Sequence, residues 1–238
     1  MLFDLSTMIS YPVDQKIENT NLTKFTIPSN NYLNVATTAY YRYDYTGYNT
    51  PNNPQFILDL KNTFDKNDNQ TLTKLNIAAK KVEEIIFKDI TDLIKLNNLT
   101  DVSCVCVPRA KRFDFYSKNQ LLLQTSISSA ISKLSNITNA TYAITRHTNT
   151  KTTHIKKDVT MYGKNNEPNH NDGENPYPGI TKETCNLNHD LIRNKNVILI
   201  DDIYTTSANI DEDCIQFLLN NGAKSVILYT IAKTKRSD

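Results

Sequence analysis

The chain reads as an α/β domain with a mainly parallel central sheet flanked by helices. Three observations carry this expectation. Apolar runs of strand length occur at residues 102–107, 197–200 and 225–231. Long amphipathic stretches stand between or before them. The order strand, helix, strand, long loop, strand, helix, strand is that of parallel strands joined by crossovers.

The elements follow in order. Residues 1–38 are polar, interrupted by Pro12 and Pro28, and are expected to be irregular. The domain proper is expected over 39–238. It opens with the block Tyr40-Tyr41-Arg42-Tyr43-Asp44-Tyr45, whose alternation reads as a strand with tyrosines on both faces or as an edge ribbon. These rings serve packing, or else a wall on which an aromatic base stacks. A Pro/Asn turn and a short helix near 55–64 come next. Over 72–96, Leu75, Ala78, Ala79, Val82, Ile85, Ile86, Ile90 and Leu93 recur at three- and four-residue steps, which predicts a long helix. The strand over 102–107 stops at Pro108; a second helix is expected over 117–134 and a short strand over 141–145. Residues 146–184 are polar and too long for an idle connection, so a functional loop is expected there. A strand over 197–200, a helix over 209–221 closed by Gly222, and a strand over 225–231 finish the domain.

Composition excludes several classes. The formal net charge of +2 leaves no field or basic stripe for nucleic acid, so direct nucleic-acid binding is not expected. No apolar stretch approaches the roughly 18 residues of a membrane span, and the start of the chain lacks a signal-peptide layout. Cys104 and Cys106 fall on one face of a strand and read as core thiols of a reduced, cytoplasmic protein. The four histidines, His147, His154, His170 and His189, share no metal-ligand spacing.

Chemistry concentrates at residues 197–209. Four apolar residues are followed by Asp201 and Asp202, then Ile203 and Tyr204, then the small residues Thr205, Thr206, Ser207 and Ala208 before Asn209 opens a helix. Open α/β sheets bind ligands at such a strand end. Backbone N–H groups and hydroxyls at a helix start suit a phosphate, and adjacent carboxylates suit vicinal hydroxyls; together they fit a ribose 5-phosphate. A receiver domain also carries an acidic pair after a strand, but near its beginning, whereas only 36 residues follow Asp202. Asp211, Glu212 and Asp213 read as solvated acids complementing the positive helix end.

This segment resembles the signature of type I phosphoribosyltransferases for 5-phosphoribosyl-1-pyrophosphate (PRPP). The similarity extends to the ComF-type, competence-associated branch. Cys106-Val107-Pro108-Arg109-Ala110-Lys111 is similar to its pyrophosphate loop, residues 117–121 to its Asn-Gln motif, and residues 146–150 to its Arg-containing segment. That branch's zinc module has no counterpart here, because no Cys pairs precede Tyr40.

The resemblance implies the type I phosphoribosyltransferase fold with a mobile hood over 146–184. It implies that Asp201 and Asp202 bind the ribose hydroxyls and that Tyr204, Thr205, Thr206, Ser207, Ala208 and Asn209 hold the 5-phosphate. Pro108, Arg109, Ala110, Lys111 and Arg146 would hold pyrophosphate with a magnesium ion, which Asp201, Asp202 and PRPP itself would bind. Asp201, Asp202, Arg109 and Lys111 would carry catalysis, transferring phosphoribosyl to a nitrogen nucleophile or the reverse. Thr205 stands where purine-salvage relatives have an acidic base, which points away from hypoxanthine or guanine. Ser207 stands where the family usually has Gly, and a Cβ there crowds the phosphate. The alternatives are therefore a PRPP- or nucleotide-sensing regulator without turnover, or an effector in a bacterial DNA-uptake or phage-defence system. The acceptor is not legible, and a homodimer or a protein partner stays open.

Overall fold

The computed structural model describes residues 14–47, 50–62, 65–150, 179–206 and 208–235. The central sheet has seven strands: β1 (Gln15–Lys16), β2 (Thr23–Ile27), β3 (Thr37–Tyr45), β4 (Val102–Cys106), β5 (Ile137–Asn139), β8 (Asn196–Tyr204) and β9 (Ser225–Thr234). Their spatial order is β1-β2-β3-β9-β8-β4-β5. The five strands from β3 to β5 in that order are mutually parallel; β1 and β2 join antiparallel at one edge. A separate antiparallel pair, β6 (Ile144–Arg146) and β7 (Cys185–Leu187), lies after β5 in the chain.

Strand alternation sorts the core into two layers. Ile198 and Ile200 of β8 and Cys104 and Cys106 of β4 face α1 (Gln55–Lys61), α2 (Asn69–Leu96) and α3 (Leu122–Ser132). Val197 and Leu199, with Val105, face α4 (Ile210–Asn220). A parallel sheet covered on both faces reads as an unbroken apolar run, which is why 197–200 shows no polar alternation. The tyrosine block splits the same way, Tyr40 to the first layer and Tyr41 to the second, and it is interior, flanked by β2 and β9.

Helix starts and stops follow local chemistry. Asp68 caps α2 by accepting from the Thr71 N–H at 3.0 Å. Ser117 and Gln120 form a reciprocal capping box before a 3-10 turn at Lys118–Leu121 that runs into α3. At mid-length α2 is fastened to the sheet by a fully buried Asp89, which accepts from Arg42 of β3 at 2.6 Å and from the Tyr229 hydroxyl of β9 at 2.7 Å.

Four expectations need correction. Residues 14–38 are not wholly irregular: β1 and β2 lie among them, and Phe25 and Ile27 of β2 are buried, because Thr23-Lys24-Phe25-Thr26-Ile27 alternates even though its polar members dominate. The strand expected at 141–145 is not the one beside β4: β5 pairs with β4 at 137–139, residues 141–143 turn, and β6 starts at Ile144 in the small sheet. β8 runs on through Tyr204, so Asp201 and Asp202 lie within a strand rather than after one. Asp211 and Glu212 are not solvated but 4% and 1% exposed. Among the described residues no helix is long and apolar enough to cross a membrane, and all four cysteines are free and buried.

Candidate functional site

From β4 the chain turns through α3 to β5 on one side; from β8 it turns through α4 to β9 on the other, across the opposite face. The crevice between β4 and β8 is thus a topological switch point, the place where open α/β sheets leave room for a ligand. The ladder between these strands ends at Cys106 and Ile200, with one further bond from the Val107 N–H to the Ile200 carbonyl at 2.9 Å. Beyond it β8 continues four residues, paired to β9. Asp201 and Asp202 stand on this ledge.

The alternation of the strand gives the two carboxyls partners from opposite layers. Asp202 meets the ammonium of Lys61, the last residue of α1, at 2.9 Å. It also accepts from the Ile203 N–H at 2.6 Å. Asp201 lies close enough to Asp211 of α4 for the two carboxyls to interact. Burial, and then the charge of Asp202, push the Asp201 carboxyl up to about 7. Burial and Asp201 hold Asp211 well above the carboxylate range. Glu212 is raised by burial and accepts from the Tyr204 hydroxyl at 2.8 Å. Burial thereby favours the neutral forms of Asp211 and Glu212, which relieves the repulsion that two carboxylates in the first turn of α4 would exert on an anion.

The turn into α4 is tightened by the Ala208 N–H donating to the Thr205 carbonyl at 2.9 Å. Asn209 caps the helix in the left-handed region at φ 56°, without a side-chain hydrogen bond. Asn tolerates that conformation at low cost. The Thr205 hydroxyl is engaged with that of Thr234 at 2.8 Å. Thr206 is exposed. The Tyr204 ring is buried against Phe25, centroids 5.1 Å apart, leaving its backbone alone to face the turn. Ser207 lies outside the described residues.

Across the crevice, the loop after Pro108 is held by its own polar groups. The Arg109 guanidinium donates to the carbonyl of Gln120 and to that of Lys61, the latter at 3.0 Å, and lies 4.4 Å over the Tyr116 ring. Arg146 is buried and donates to the Arg109 carbonyl at 3.1 Å and the Gly179 carbonyl at 2.7 Å. The Ala110 carbonyl accepts from both the backbone and the hydroxyl of Thr150, each at 2.9 Å. The Lys111 N–H donates to the Tyr116 hydroxyl at 3.0 Å, and the Lys111 side chain is buried. Sequence reading expects Arg109 and Arg146 to face an anion; in the structure both brace backbone.

The structure therefore brings residues 201–206, Ala208 and Asn209 to one crevice with residues 108–111, and sets Arg146 behind the second segment. Most of the stretch expected as a hood, residues 151–178, lies outside the described residues; its flanks form β6 and β7. Lys61 is the residue that sequence reading misses. Its helix is short, and nothing in the pattern of 55–61 shows that the C-terminal end meets a strand 140 residues later. No three His, Cys, Asp or Glu side chains converge as a metal cage among the described residues. No protein-family model matches this chain, and no curated protein matches its sequence.

Proposed function

We propose that the protein binds PRPP and acts as a phosphoribosyltransferase. The observation that carries this reading is the placement of Asp201 and Asp202 on the β8 ledge at the switch-point crevice, one short turn before α4. In this reading the two carboxyls accept hydrogen bonds from the ribose hydroxyls. The N–H groups of residues 205–209, at the positive end of α4, hold the 5-phosphate. A nitrogen nucleophile forms its bond to C1 as the bond to pyrophosphate breaks; the electron pair leaves with pyrophosphate, and the nucleophile's proton passes to solvent or a base. Holding both ends of the substrate supplies orientation, worth up to about 7–11 kcal/mol of barrier.

Magnesium fits this donor set as an ion carried on the substrate, since it is commonly held by one or two carboxylates together with phosphates and water. Asp201 and Asp202 would hold it, and it would offset charge on the leaving pyrophosphate. Buried free thiols agree with a cytoplasmic setting.

A second reading, a sensor that binds the same ligand without turnover, is favoured by Arg109 and Arg146 being committed to carbonyls. Calorimetric titration with PRPP and magnesium, beside the Asp201→Asn, Asp202→Asn double variant, tests the shared site. Binding that the variant loses is expected. Absence of binding by the wild type would sink both readings. Pyrophosphate release on screening nitrogenous acceptors then separates transferase from sensor.

A further inference from the structure

Among the described residues two ion pairs tie helices to the sheet, and they are built differently. In the pair of Arg42 with Asp89 the carboxylate side chain is 0% exposed and also accepts from Tyr229, as a sealed structural contact should. In the pair of Lys61 with Asp202 the side chains keep 25% and 16% exposure, and they sit on the ledge above the end of β4. Both groups keep some solvent exposure. An ammonium has three donors, and Asp202 uses one of them.

The position of Lys61 is fixed from outside the pair. Arg109 donates to the Lys61 carbonyl at 3.0 Å, and the Gln120 side chain donates to the Asn62 carbonyl at 3.3 Å. The end of α1 is thereby joined to the loop after β4 and to the start of α3. This also explains why Arg109 is spent on backbone: it anchors the helix end that delivers a different cation.

We infer that Lys61 is a ligand-binding residue, contacting the pyrophosphate group of a bound phosphoribosyl pyrophosphate while retaining Asp202. The inference rests on the proposed PRPP site. In that ligand the pyrophosphate oxygen on C1 is vicinal to the 2-hydroxyl. A cation paired with a carboxylate that holds the hydroxyls is therefore one carbon away from the leaving oxygen. Lys61 then does what sequence reading gives to Arg109: it meets negative charge as that charge develops on the leaving group.

Two ligands distinguish this from mere neutralisation of Asp202. PRPP with magnesium and ribose 5-phosphate, which lacks the pyrophosphate, are titrated calorimetrically into wild type and Lys61→Met. The expected result is a loss of roughly 10- to 100-fold in PRPP affinity, as for a charged hydrogen bond, with ribose 5-phosphate affinity unchanged. Equal losses for both ligands would mean that Lys61 serves only Asp202, and an unchanged PRPP affinity would mean that it serves neither; each overturns the inference while leaving the PRPP site standing. Failure of the wild type to bind either ligand removes the site and the inference together. Should Lys61→Met fail to fold by circular dichroism, Lys61→Gln, which keeps the length and a donor without the charge, gives the same comparison.

Discussion

Replacing Asp201 with Asn should make the protein more stable at neutral and alkaline pH while abolishing the proposed PRPP site. The carboxyl is half-buried beside Asp202 and is pushed up to about 7, against about 3.9 for an unfolded chain. Below pH 4 it holds its proton in both states and has no effect. Between pH 4 and 7 the unfolded chain releases that proton while the native protein keeps it. Stability therefore falls as pH rises through this window, by up to about 1.4 kcal/mol per pH unit, and levels off above pH 7. Integrated over the shift, the difference is on the order of 4 kcal/mol.

The groups facing Asp201 set the sign. The charge of Asp202 on the same strand raises its proton affinity, Lys61 on α1 and Asp211 on α4 lower it, and the thiols of Cys106 and Cys214 lie alongside. An Asn side chain has nearly the same shape but cannot ionise. Urea unfolding of wild type and Asp201→Asn at half-unit steps from pH 4 to 8 should give curves that coincide near pH 4 and diverge above it, the variant being more stable at pH 8. Parallel curves across that range would refute the argument, because they would mean that Asp201 titrates normally in the native protein.

Substitutions at two other positions test the scaffold. Asp89→Ala leaves the Arg42 guanidinium and the buried Tyr229 hydroxyl without their shared acceptor, and should cost about 3–5 kcal/mol in chemical denaturation; a cost under about 1 kcal/mol would show that α2 does not depend on this contact. Gly222→Ala places a side chain at φ 93°, where its Cβ would stand 3.6 Å from Arg193 Cγ, an ordinary contact. The expected loss of about 1–2 kcal/mol is then conformational, and Gly222→Asn, a residue that tolerates positive φ, should lose less.

The elements legible in the sequence are those whose physics is local. The α2 stripe from Leu75 to Leu93, the apolar core of β8 and the Gly222 stop each follow from side-chain period or backbone freedom within a few residues. The alternation of parallel strands and helices likewise carries the sheet type. The acidic pair and the small-residue turn of the candidate site are adjacent in the chain, so they too can be read directly.

What escaped the sequence depends on pairing at a distance. β5 and β7 are three residues each, too short to show a period, and exist because β4 and β6 offer them edges. Asp211 and Glu212 read as helix-end acids on an exposed face; only the packing of α4 on β8 buries them and brings Asp211 onto Asp201. Arg109 and Arg146 have the composition of an anion site, but the tertiary structure supplies the carbonyls of Gln120, Lys61 and Gly179 that claim them. Lys61 is the converse case, an ordinary helix lysine until the fold sets it 2.9 Å from Asp202. Period and turn chemistry fix which residues a strand or helix presents. Which charges meet, and so which stay neutral and which act, is decided when distant elements share one low-dielectric site.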